Sequence, residues 1–171
     1  MEVANALLVD AFGRVREGVH DVVEGLTRAQ LTYRLDSRAN TVAWLVWHLT
    51  RIQDDHVSAL AATDQVWLRD GWVDRFGLPF DRRAHGYGHR SEDVAAVDVP
   101  PELLLGYHDA VHQQTVSYLE GLRPEQYDEV VDDSWDPPVT RVVRLVSVVD
   151  DDLQHVGQAA FVRGILQRRG E

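Results

Sequence analysis

The chain has no cysteine and no lysine. Without cysteine there are no disulfides, no thiolate metal sites and no cysteine nucleophile, so any thiol chemistry needs a thiol from outside. Arginines supply the positive charge but form no dense basic run, and the formal net charge is −11. An acidic chain without clustered cations is a poor partner for nucleic acid or for an anionic membrane surface. No apolar run is long enough to span a bilayer. The start, Met1-Glu2-Val3-Ala4-Asn5, lacks the basic and apolar regions of a signal peptide, which predicts a cytoplasmic protein. What remains is a chain of 171 residues, 44% of them hydrophobic. That suits one globular domain over residues 1–171.

The hydrophobic periodicity predicts an all-α fold of four helices and no convincing sheet. The first helix spans roughly 3–25, with Leu8, Phe12, Val15, Val19, Val22, Val23 and Leu26 in one stripe. The second follows Asn40 as N-cap and runs to about 62. The third follows Pro100-Pro101, where proline forfeits no hydrogen bond, and ends near Gly121. The fourth starts after Pro137-Pro138 and reaches about 169. Its first part, Val142 to Val149, is β-branched and suits a strand by propensity. Helical spacing of residues 142, 145, 146, 149, 153, 156 and 160, and the lack of a partner strand, favour helix. The connection 64–99 is rich in glycine but carries Trp67, Trp72, Phe76, Phe80 and Tyr87. It reads as an ordered crossover lying over one end of the helices.

Two helices carry the polar residues that need explaining. His48 lies in Trp44-Leu45-Val46-Trp47-His48-Leu49, on the apolar face of the second helix. On the fourth, Asp151 and His155 stand four apart and stack on one face. Desolvating such groups without partners is costly, and a divalent metal would satisfy them. The competing explanations are a core histidine hydrogen-bonded to something else and a simple Asp–His ion pair. Three ligands would leave an open coordination position, as catalytic sites do. His/His/carboxylate ligation suits zinc first, with nickel, iron or manganese compatible. Asp152 competes with Asp151 as ligand. His108 and His112 form a rival pair four apart, read as a solvated helix edge. The main apolar stripe of the fourth helix lies nearly opposite Asp151 and His155, so a second face needs cover, which a homodimer would give. Trp135-Asp136-Pro137-Pro138 is a rigid aromatic turn that either shapes a pocket mouth or simply leads into the helix.

Trp47-His48-Leu49, together with Asp151-Asp152-Leu153-Gln154-His155-Val156-Gly157-Gln158, resembles the DinB-like superfamily over nearly the whole chain. That resemblance implies a metal-binding four-helix bundle with a long crossover between helices two and three. The superfamily places one histidine on helix two and two on helix four, the last in His-x-Gly-Gln. His48 and His155 match; Asp151 stands where a histidine is usual, as a carboxylate does in the mycothiol-dependent maleylpyruvate isomerase branch. The segment 44–56 also resembles actinobacterial members described as mycothiol-transferase-like. The resemblance implies a metal-dependent thiol S-transferase or isomerase, with a mycothiol- or bacillithiol-type cosubstrate attacking a small electrophile. Asp55, His85 and His89 would then handle protons, and Arg51, Arg82 or Arg83 would bind a carboxylate. A metal-dependent hydrolase and a non-catalytic binding bundle are the alternatives.

Overall fold

The computed structural model describes residues 2–170. It is mostly helical, with one small sheet. Four long helices carry the architecture: α1 (Val3–Val23), α3 (Val42–Ala61), α7 (Pro101–Glu120) and α8 (Arg141–Arg169). α1 and α3 each pack against both α7 and α8. The short helix α2 (Arg28–Leu31) links α1 to α3. Its Thr27 cap accepts from Gln30 N, and Gln30 answers at the Thr27 N–H.

The long elements start for local reasons. Thr41, not Asn40, caps α3: its hydroxyl oxygen accepts from Trp44 N at 3.0 Å. Pro101 opens α7 in the position where its missing N–H is harmless, and Gly121 follows the last turn. α8 begins at Arg141, later than the sequence predicts. Val139–Thr140 form strand β2, antiparallel to strand β1 at Val130–Asp132. The β-branched segment Val142 to Val149 is helical as expected, but the two residues before α8 pair with Val130–Asp132 across the loop 133–138, so the expectation of no sheet is overturned. Trp135 in that loop is 66% exposed.

The face that α8 buries is also not the expected one. Leu145, Val148, Asp152, Ala159, Val162 and Leu166 are buried, whereas Val146 and Leu153 are exposed. At 100° per residue the buried face is turned about 100° from the most hydrophobic stripe, toward Asp151 and His155. Hydrophobicity could not trace this face, because an aspartate sits in its middle.

The crossover is ordered, as its aromatics imply. It contains helices α4 (Val66–Arg69), α5 (Trp72–Phe76) and α6 (Ser91–Ala96). It does not lie over one end. It runs back along α3, meeting Asp54 through Val66 and Trp67, Arg51 through Ala84, His48 through His85 and Trp44 through His89. Buried Asp54 is the anchor. Its carboxylate accepts from Val66 N, Trp67 N, Ser58 Oγ and the Tyr107 hydroxyl, all within 3.0 Å.

The apolar core forms two clusters. Between them lies a polar layer, with Gln53 on α3, Thr115 on α7 and Asp152 on α8 all buried. Gln53 Nε2 donates to Thr115 Oγ1 at 2.8 Å. Both Asp152 oxygens lack a hydrogen-bond partner among the described residues, and burial beside Asp151 pushes this carboxyl well above the usual range.

His108 is fully buried, contrary to the expected solvated edge; His112 is half-buried. Thr50 Oγ1 donates to Val46 O at 2.7 Å, so it must accept from His108 Nδ1 at 3.0 Å. Burial lowers the His108 pKa to about 3. The unfolded chain therefore takes up a proton below pH ~6.5 that the folded chain refuses. This contribution is complete above that pH and is lost as pH falls toward 3. We expect about 2 kcal/mol of stability to disappear through this residue between pH 7 and pH 5. Urea unfolding of wild type and His108→Gln at both pH values checks it: the variant loses less, and equal losses would refute the assignment.

Candidate metal centre

His48, Asp151 and His155 converge where α3 faces α8. One ligand-type atom from each lies within 4.8 Å of the others. His155 Nε2 stands 3.6 Å from Asp151 Oδ1. Ligand atoms on a tetrahedral zinc lie roughly 3.3 Å apart, so small side-chain rotations close the set. His48 is 7% exposed, while Asp151 and His155 are partly open to solvent. Asp151, not Asp152, is the aspartate of this cluster.

What distinguishes the cluster from a chance ion pair is how its imidazoles are held. His48 Nδ1 meets the His85 carbonyl at 2.5 Å and must donate to it, because a carbonyl oxygen only accepts. His155 Nδ1 faces Gln158 Oε1 at 3.3 Å. In both rings the Nδ1 proton has an acceptor, which leaves Nε2 bare for a cation, the usual support for metal-ligating histidines. Burial also lowers the His48 pKa, favouring the neutral imidazole that ligation requires. Asp151 Oδ2 is buried with no hydrogen-bond partner among the described residues. An orphaned carboxylate oxygen beside two bare imidazole nitrogens fits a divalent metal.

Aromatic packing fixes the ring planes. Trp44 stacks on His48 at 4.7 Å between centroids and meets His155 edge-on. Trp44 Nε1 donates to His89 Nδ1 at 3.2 Å, and His89 stacks on Trp47. Gly86 makes the carbonyl contact possible. Its φ is +100°, and a Cβ there would lie 2.6 Å from His48 Nδ1.

The other residues singled out in the sequence divide. His85 approaches through its carbonyl, and His89 supports Trp44. Asp55 accepts from Gln65 Nε2. Arg51 is fully buried; it donates to the Ala84 and Arg83 carbonyls, the Tyr107 hydroxyl and Gln65 Oε1. It thus holds the crossover instead of facing a ligand. The Arg83 side chain is exposed, and Arg82 pairs with Asp74. The sequence reading missed Gly86 and Asp54. Gly86 carried a signal, a glycine beside His85; Asp54 carried none, since its partners are distant backbone N–H groups.

The chain matches the mycothiol-S-transferase family over residues 7–168. It belongs to that family. The mycothiol-S-transferases are a DinB-like branch, in agreement with the resemblance carried by His48 and the His155–Gln158 segment. A crystal structure of a conserved protein from Enterococcus faecalis is similar to this chain, with 35% identity, a TM-score of 0.89, and coverage of 95% of this chain and 96% of that one. No curated protein matches. Membership of this transferase family supports a mycothiol-related reaction, and the His/Asp/His cluster is its candidate metal site. Among the described residues, no helix is long and apolar enough to cross a membrane.

Proposed function

We propose that the protein is a cytoplasmic, metal-dependent thiol S-transferase, a single-domain DinB-type four-helix bundle with zinc on His48, Asp151 and His155. The observation that carries this reading is the pair of imidazoles whose Nδ1 atoms face acceptors, gathered with the Asp151 carboxylate so that one ligand-type atom of each lies within 4.8 Å of the others. A divalent metal there would lower the pKa of a thiol at its open side, giving thiolate at neutral pH. The chain's own residues set the stage. Trp44 shields His48 from water on one side, and the His85 carbonyl fixes its tautomer. To the His85 imidazole, next to that carbonyl, we assign proton exchange with the entering thiol. A cavity of about 460 Å³ lined in part by Leu45, Phe161 and Val162 adjoins Gln158 and has the apolar wall a small electrophile needs.

Cobalt-substituted protein tests this reading. Mycothiol should shift the visible spectrum, and thiol should then be consumed with an added electrophile. Ester or amide hydrolysis without thiol, and no spectral shift with it, would favour metal-activated water instead.

The exposed apolar residues of α8, Val146, Leu153 and Phe161, support a homodimer. Light scattering should then give twice the chain mass, and a monomeric mass at high concentration removes the dimer.

A further inference from the structure

The two helices that carry the triad, α3 and α8, run on past it side by side. Arg144 lies two turns back along α8 from Asp151, and His56 lies just over two turns on along α3 from His48. Seven and eight residues correspond to about 10–12 Å. There a half-enclosed cavity of about 320 Å³ is walled by His56, Leu60, Val131, Asp132 and Arg144. His56 lines this cavity beside Arg144, on the same two helices that carry the triad.

The cavity is polar but electrically balanced. Arg144 Nη2 pairs with Asp132 Oδ2 at 2.8 Å. Arg141, behind it, is fully committed: it donates to the Gln126 and Leu60 carbonyls and the Tyr118 hydroxyl, and pairs with Glu129. Each cation thus has its own carboxylate. His56 Nδ1 lies 3.5 Å from Arg144 Nη1, a group that can only donate. Its proton therefore sits on Nε2, which has no hydrogen-bond partner in the protein among the described residues. Asp132 Oδ1 already accepts from Ser134 N and Ser134 Oγ, so the walls offer an N–H of His56, unpaired N–H groups of Arg144 and the remaining lone pair of Asp132 Oδ2, with Leu60 and Val131 between them. Hydroxyl groups, each donor and acceptor at once, satisfy such a surface. An anion would have to displace Asp132 from the guanidinium.

We propose that this cavity is the subsite for an uncharged, polyhydroxylated body carried by the thiol cosubstrate, with His56 and Arg144 as its specificity-determining donors. The proposal rests on the thiol-transfer reading above for its occupant. Mycothiol is a cysteinyl amide of a sugar–cyclitol unit. With its sulfur at the triad, that unit would extend the distance of about 10–12 Å along α3 and α8 to this cavity.

The test uses the N-acetylated sugar–cyclitol unit alone, without the cysteinyl thiol, titrated calorimetrically into the full-length protein. We expect it to bind wild type and His155→Ala alike, because the cavity is separate from the metal ligands. Binding should weaken about tenfold or more, some 1.4 kcal/mol, in His56→Phe and in Arg144→Gln. His56→Gln, which restores an N–H donor, should recover most of it. No binding to wild type, or equal binding to His56→Phe, overturns the proposal. So does tighter binding of a carboxylate-bearing sugar acid than of the neutral unit, which would make this an anion site. If the neutral unit binds through His56 and Arg144 but the loaded protein consumes no thiol, transfer fails while the polyol subsite stands. If thiol is consumed and the unit does not bind, the subsite alone fails.

Discussion

Alanine at His155 is expected to strip the protein of its metal, and alanine at His48 to do the same. After purification and reloading with zinc, wild type should carry about one equivalent, and each variant under ~0.1, because two ligands cannot hold a cation against solvent. Thiol-transfer activity should fall below detection in both. Asp152→Asn supplies the control. Asp152 adjoins Asp151 in sequence, yet its oxygens lie fully buried in the polar layer and outside the cluster. Its isosteric amide should leave the metal in place, whereas Asp151→Asn should release it. Mass spectrometry of the untagged proteins decides. A full equivalent of metal in His155→Ala would end the assignment, as would none in wild type after zinc, nickel, iron and manganese have each been supplied.

Gly86→Ala should be nearly as damaging to metal affinity without touching a ligand. Two effects combine. At φ +100° an alanine is strained, which costs roughly 1–3 kcal/mol. Its Cβ would also stand 2.6 Å from His48 Nδ1 and 3.2 Å from Trp44. Both neighbours are packed rings, so the peptide joining His85 to Gly86 has to move, and with it the carbonyl that orients His48. Loss of such an outer partner weakens metal affinity about 10–100-fold. Gly88→Ala separates the two effects. Gly88 also has positive φ, +77°, but a Cβ there would meet nothing within 4 Å. It should lose stability and keep its affinity. Competition with a chelator, read beside thermal melting of both variants, checks this; equal affinity in wild type and Gly86→Ala would dissociate the carbonyl from the metal site.

Much of this was readable in the chain. The four long helices follow from apolar spacing at 3.6 residues and from proline and glycine at their ends. Of the three converging residues, His48 follows from an imidazole on an apolar face, and Asp151 and His155 from their four-residue spacing on one side of a helix. What escaped depends on distant partners. Val139–Thr140 is too short to declare itself a strand without knowing that Val130–Asp132 lies beside it. Asp54 looks like one more acidic residue until the crossover brings Val66 N and Trp67 N to it. The path of the crossover along α3 is set by Arg51, whose partners are backbone carbonyls that no side-chain pattern encodes. His108 resembled a surface residue because its partner is one hydroxyl, Thr50, on another helix.

The setting of α8 has a consequence for how this fold can change. Its most oily side, with Val146 and Leu153, faces outward, and a side bearing Asp152 faces in. Rolling the helix by about 100° would bury the better side, but it would carry Asp151 and His155 away from His48. Selection for robustness and selection for chemistry thus pull this one helix in opposite rotational directions. The rotational phase of α8 is therefore tied to whether His48, Asp151 and His155 stay together.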